Sequence, residues 1–279
     1  MLVTDSFVMI LFPKTGSTFA ADSIKGIYAH RKKKKSFISL LCGQWFTAKR
    51  SFAKTIMLPQ SEFATGNNAL SHQHGRCEEI PEEYRDKPIV SIVRNPHARN
   101  ISTYEFRWWA DHPIPPVDIL KREFPKFPDL SFKEFLTYQN FNIQYRVGID
   151  KLRVDLGNQT IQFIQFFFKN PSKIFPIFDD DYVLSGLYRN DIYNIQFLAT
   201  ERLNLDLYKF LNKTGYRKSE IDFILNKKKL RPRNTFMQSA SYRKKYLTPE
   251  IVEMVARKER LLYQIYADHG IVYDPEKYN

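Results

Sequence analysis

The chain has 279 residues, with 43 Lys and Arg against 30 Asp and Glu, for a formal charge of +13 at neutral pH. Its hydrophobic content of 43% and aromatic content of 15% exclude a chain held unfolded by its own charge and supply a sizeable core. The cysteines, Cys42 and Cys77, cannot build a disulfide framework and read as reduced thiols. No run approaches the roughly 18 consecutive apolar residues of a membrane span, and no signal-type stretch opens the sequence, so a cytoplasmic location is expected.

In chain order, Ser6 to Phe12 is a continuous apolar run closed by Pro13, which predicts a strand buried on both faces. A turn, Lys14-Thr-Gly-Ser-Thr18, leads into a helix expected from Thr18 to His30. Arg31 to Lys35 would end that helix, where cations complement the negative end of the dipole; a nuclear-localisation-like or polyanion-binding patch is the alternative. Pro88 to Val93 predicts a second buried strand running into Arg94-Asn-Pro96, with a helix over Ile101 to Trp109. Strand, turn and helix thus occur twice. This points to an α/β fold in which helices cover a parallel sheet and ligands sit outside the carboxyl ends of the strands.

Prolines 113, 115, 116, 125 and 128 predict a loop or lid at about residues 111–130. Asn194 to Ala199 predicts a further strand, and Asn204 to Leu211 a helix. Thr248-Pro249-Glu250 starts a last helix, with Ile251, Val252, Val255, Leu262 and Ile265 on one apolar face and Gly270 closing it. Asn100, Asn158 and Asn212 head triplets that would accept glycans in a secreted chain. With no repeat and no clear linker, residues 1–279 are expected to form a single domain.

Pro13 to Thr18 lies between a buried strand and a helix, where backbone N–H groups and the positive helix end favour an anion. Gly16 permits close approach, Ser17 and Thr18 add hydroxyls, and Lys14 adds a mobile charge. The ATP- and GTP-binding pattern G-x-x-x-x-G-K-[ST] is not met, because Lys14 precedes Gly16 and the first glycine is missing. The strand before Arg94 also ends without the Asp that holds magnesium in such enzymes. An ordinary capping turn explains these residues equally well.

Pro13-Lys-Thr-Gly-Ser-Thr18 resembles the PK-[ST]-G-[ST]-T turn of sulfotransferases that use 3'-phosphoadenosine 5'-phosphosulfate (PAPS). Ile92-Val-Arg94-Asn-Pro96, with Ser102 eight residues after the Arg, is similar to that family's R-[ND]-P element, and Phe197 to Leu203 resembles its later strand and E-x-L segment. The resemblance implies a P-loop NTPase-like sulfotransferase fold. Lys14, Thr15, Gly16, Ser17 and Thr18 would hold the 5'-phosphosulfate, Arg94 and Ser102 the 3'-phosphate, with no metal required. It implies in-line transfer of the sulfuryl group to an acceptor hydroxyl rather than an amine, on a carbohydrate, lipid or small alcohol, with adenosine 3',5'-bisphosphate as product.

Ser71-His72 matches the T-H of the T-H-L-P segment in cytosolic relatives, which implies His72 as the base. Gln73-His74 replaces Leu-Pro there, so His74 stays an alternative. The two histidines with Cys77 also form a partial metal pattern, unaccompanied by any further cluster. Trp108 and Trp109 would either wall the acceptor pocket or join the core. Arg243 lies where relatives return a basic segment to the 3'-phosphate, although their R-K-G pattern is absent. The competing readings are a P-loop nucleotide kinase and a non-catalytic polyanion-binding protein; no nucleic-acid partner is expected.

Overall fold

The structure, a computed structural model, describes residues 1–42, 51–58, 73–147, 152–228 and 245–273, without the side chains of 33–42 and 144. His72 and Arg243 lie outside these residues. The chain divides into two compact units, one of Met1–Ser61, Ala69–Val93 and Asn194–Leu230, the other of Glu62–Asn68, Arg94–Tyr193 and Arg231–Asn279. Among the described residues no helix is long and apolar enough to cross a membrane.

The first unit holds a five-stranded sheet made of β1 (Leu2–Thr4), β2 (Val8–Ile10), β3 (Ala53–Thr55), β4 (Ile89–Val93) and β5 (Ile195–Ala199), in the order β3-β1-β2-β4-β5. The β2, β4 and β5 strands are parallel, with Val8 opposite Ile89 and Val90 opposite Gln196. The expected all-parallel sheet is corrected on one side, where β1 runs antiparallel to both β2 and β3. The reason is local: only Asp5 to Phe7 join β1 to β2, too few residues for a parallel crossover. Thr4 Oγ1 closes that turn by accepting from the Ser6 and Phe7 N–H groups while donating to the Phe7 carbonyl.

Helix α1 (Ser17–Cys42) and the helix Leu203–Lys213 place Phe19, Ile24, Ile27, Leu207 and Phe210 in one core with Met9, Leu11, Val90, Ile92 and Leu198. Each such burial is worth about 1.5–3 kcal/mol. Because α1 continues to Cys42, Arg31 to Lys35 lie inside the helix instead of capping it; lysine is a good helix former and no Gly or Pro intervenes before Gly43. Arg31 has a structural role. Its Nε and Nη2 donate to the two Glu220 carboxylate oxygens at 2.8 and 2.9 Å, and its guanidinium lies 4.5 Å from the Tyr216 ring centre.

In the second unit, helix α2 (Pro96–Phe106) starts five residues before the expected Ile101. Asn95 Oδ1 accepts from the His97 and Ala98 N–H groups at 2.9 and 3.3 Å, and Pro96 takes the first helical position, where its missing N–H is no loss. Arg107, left-handed at φ 54°, breaks the chain before the short helix α3 (Trp108–Asp111). The expected loop or lid at 111–130 contains a helix, α4 (Val117–Glu123), because no proline falls between Pro116 and Pro125. Its Leu120 is buried in an aromatic cluster with Trp109, Phe127, Phe135 and Tyr138.

Helices α5 (Phe132–Val147) and α6 (Asn158–Phe167) follow, then two C-terminal helices, Pro249–Lys258 and Arg260–Asp268, where a single helix was expected. The break is at Glu259, whose backbone leaves helical geometry (φ −104°, ψ 15°) while its carboxylate is buried. The expected ends hold: Thr248 Oγ1 caps the Ile251 N–H at 3.4 Å, and Gly270 follows the second helix at φ 74°. Asn100 and Asn158 are buried, which leaves only Asn212 of the three glycan-acceptor triplets presented by the folded chain.

The Trp pair divides. Trp109 is 7% exposed, donates through Nε1 to the Tyr104 carbonyl at 3.3 Å, and packs in the aromatic cluster. Trp108 is 48% exposed, its ring against that of His112 with centres 3.6 Å apart. Trp109→Ala should lower the unfolding free energy by about 3–5 kcal/mol, and Trp108→Ala by less than about 1 kcal/mol, as measured by urea denaturation.

Candidate functional site

In the first unit, the chain leaves β2 through the buried Leu11 and Phe12 and reverses into α1. Thr15 Oγ1 and Ser17 Oγ both donate to the Phe12 carbonyl, at 2.8 and 3.2 Å. The reversal passes through two left-handed residues, Lys14 at φ 64° and Gly16 at φ 87°. For lysine that conformation costs about 1–2 kcal/mol, strain of the kind found at ligand clamps. At Gly16 the backbone angle itself favours glycine, and a Cβ there would come within 3.1 Å of Leu203 Cδ2, which would have to shift slightly.

The first intrahelical bond of α1 joins the Ala20 N–H to the Gly16 carbonyl at 3.4 Å. The N–H groups of Gly16, Ser17, Thr18 and Phe19 therefore have no acceptor within the helix, and the positive helix end adds to them. Donors of this kind at a helix start favour an anion. Thr15 and Ser17 are buried and their hydroxyl protons go to Phe12, so their side chains shape the turn; Thr18 is exposed at its edge. A residue that sequence reading did not single out joins them: Thr200, just past β5, donates to the Thr15 carbonyl at 2.5 Å and to the Val93 carbonyl at 2.9 Å.

His74 also reaches this end of the sheet. Its Nδ1 lies 2.6 Å from the Leu11 carbonyl, which can only accept, so Nδ1 carries a proton and the ring is held through that nitrogen. Three residues on, Cys77 is buried, and that burial pushes its thiol well above the usual range. No group of His, Cys, Asp and Glu able to hold a metal is present among the described residues.

In the second unit, Arg94 is half-buried just before α2, and Ser102 is buried two turns along it. The first turns of α2 sit in a buried polar network. His97 Nε2 donates to the Val252 carbonyl at 3.1 Å, and His97 Nδ1 accepts from the Tyr263 hydroxyl at 2.7 Å. Burial holds the imidazole below its usual pKa. Arg99, 3% exposed, donates through Nη2 to Gln162 Oε1 at 2.6 Å and through Nη1 to Gln159 Oε1 at 3.4 Å. Gln159 in turn donates to the Pro96 carbonyl and to Asn100 Oδ1, both at 2.8 Å.

Burial pushes the Arg99 guanidinium down to about 10, with the like charge of Arg94 acting in the same direction, yet it stays a cation at neutral pH. Its counter-charge is Glu259, which accepts from the Gln159 N–H at 3.1 Å and from the Thr160 N–H and hydroxyl at 2.8 and 2.7 Å. Arg99, Gln159 and Glu259 were not legible as parts of this region, since residues of these types are usually exposed. The only local signal was a second Arg five residues after Arg94.

Compared with known proteins, the chain matches no protein-family model, no curated protein and no solved structure.

Glu259 titrates above its ordinary 4.5, because burial outweighs the hydrogen bonds and the Arg99 charge that favour its ionised form. Between 4.5 and the raised value the folded state holds more protons than the unfolded one, so this residue's contribution to stability falls as pH rises. Glu259→Gln removes that dependence. The difference in unfolding free energy between wild type and variant should move in favour of the variant from about pH 4 to about pH 8, as measured by urea denaturation across that range.

Proposed function

We propose that this chain is a PAPS-dependent sulfotransferase, with a P-loop NTPase-like arrangement of its sheet and phosphate turn. The observation that carries the reading is the Pro13–Thr18 turn. It follows a buried parallel strand, is left-handed at Lys14 and Gly16, and opens a long helix whose first four N–H groups lack acceptors within it. The R-N-P element that follows the parallel strand β4 supports it, with Asn95 and Pro96 starting α2 directly after Arg94.

The donor supplies a sulfuryl group on a phosphate leaving group, which passes in line to the acceptor oxygen. The turn N–H groups and Lys14 hold the 5' end, and the Lys14 ammonium neutralises charge that gathers on the departing phosphate. Arg94 offers its planar fork of donors to the 3'-phosphate, with Ser102 adding a hydroxyl. The base that takes the acceptor's proton is a histidine of the Ser71–Gly75 segment. His74 supports this, since its Nδ1–H is tied to a carbonyl, the way catalytic histidines are oriented through one ring nitrogen. The acceptor is a hydroxyl compound, with carbohydrate, lipid and small alcohol as its candidate classes.

Adenosine 3',5'-bisphosphate should raise the melting temperature, by mass action worth about 2.7 kcal/mol at a hundredfold excess over Kd. Lys14→Ala and Arg94→Ala should each weaken that effect. Stabilisation by ATP with magnesium and none by the bisphosphate would sink the reading in favour of a kinase. In a transfer assay with labelled PAPS and an acceptor panel, His74→Ala should lower turnover by about a hundredfold or more while bisphosphate binding stays intact; the same loss in His72→Ala alone would assign the base to His72.

A further inference from the structure

We propose that Thr200 is a positioning residue that latches the phosphate turn to the carboxyl end of β4. Its effect on ligand binding rests on the reading just given, while the latch itself stands on the geometry of the first unit.

One hydroxyl reaches two backbone carbonyls, one in the phosphate turn and one at the end of a strand. The Thr15 carbonyl lies between the left-handed residues Lys14 and Gly16, and α1 takes its first acceptor one residue later, at Gly16. The Val93 carbonyl is the last of β4. Thr200 Oγ1 sits 2.5 Å from the first and 2.9 Å from the second, with its single proton shared between them. A carbonyl left without a donor in such a place costs about 1–3 kcal/mol.

Thr200 is itself held. The preceding Ala199 N–H donates to Asp206 Oδ2 at 3.0 Å, which anchors the end of β5 to the Leu203–Lys213 helix. Its methyl carbon lies 3.7 Å from the position a Cβ on Gly16 would take, so methyl and hydroxyl both face the turn. One side chain therefore sets the spacing between the backbone that presents the 5'-phosphate donors and the strand end whose next residue is Arg94.

Thr200→Val keeps the volume and removes the hydroxyl, whereas Thr200→Ser keeps the hydroxyl and removes the methyl. Amide hydrogen exchange on the nucleotide-free protein should show faster exchange at residues 14–18 in the Val variant and wild-type exchange in the Ser variant. Calorimetry should show adenosine 3',5'-bisphosphate binding about ten- to a hundredfold more weakly to the Val variant and within about threefold of wild type to the Ser variant. If the Val variant does not fold, Thr200→Ala, which adds no bulk, carries the same expectation. Wild-type exchange at residues 14–18 in a folded Val or Ala variant would overturn the latch. Failure of the wild-type protein to bind the bisphosphate would overturn the sulfotransferase reading alone, since the exchange measurement still decides the latch.

Discussion

The carbonyl of Phe12 is the constraint on which the first unit turns. A strand buried on both faces must reverse at its end, and the reversal leaves that carbonyl in a place water does not reach. Thr15 and Ser17 satisfy it with their hydroxyls. Doing so draws the next five residues into a tight loop and requires left-handed backbone at Lys14 and Gly16. The strained turn, the inward hydroxyls and the outward N–H groups are thus one arrangement, and removal of either hydroxyl would loosen all of it.

The second unit solves its corresponding problem differently. There the start of α2 is fixed by side chains deep in the unit: Gln159 bridges the Pro96 carbonyl and Asn100, Arg99 reaches Gln159 and Gln162, and Glu259 balances the buried charge. Burying two opposite charges in one network is a weak route to stability, because the loss of hydration offsets most of their attraction. What the network supplies is a single geometry, since any rearrangement of one member strands the hydrogen bonds of the others. His97, held on both ring nitrogens by Val252 and Tyr263, extends it to the C-terminal helices.

Two of the three parallel strands, β2 and β4, were legible in the sequence because strands buried on both faces read as apolar runs, and Gly16 and the Asn95-Pro96 pair announce a turn and a helix start by their own backbone preferences. The sheet's antiparallel side was not, since β1 and β3 have three residues each, too few to show any period. The lysine run misled because a cluster of cations looks like a helix end, whereas α1 is continued by the residues beyond it. Trp108 and Trp109 are indistinguishable by composition, and only the left-handed Arg107 between α2 and α3 turns one inward and the other out. Thr200 and Glu259 owe their roles to partners far away in sequence, which no local pattern records.

Cys77 gives the molecule a built-in clock. Its thiol is shielded from solvent and kept protonated by burial, so a thiol reagent can modify it only during moments when its surroundings separate. The modification rate therefore counts how often the short turn that holds Cys77 comes undone.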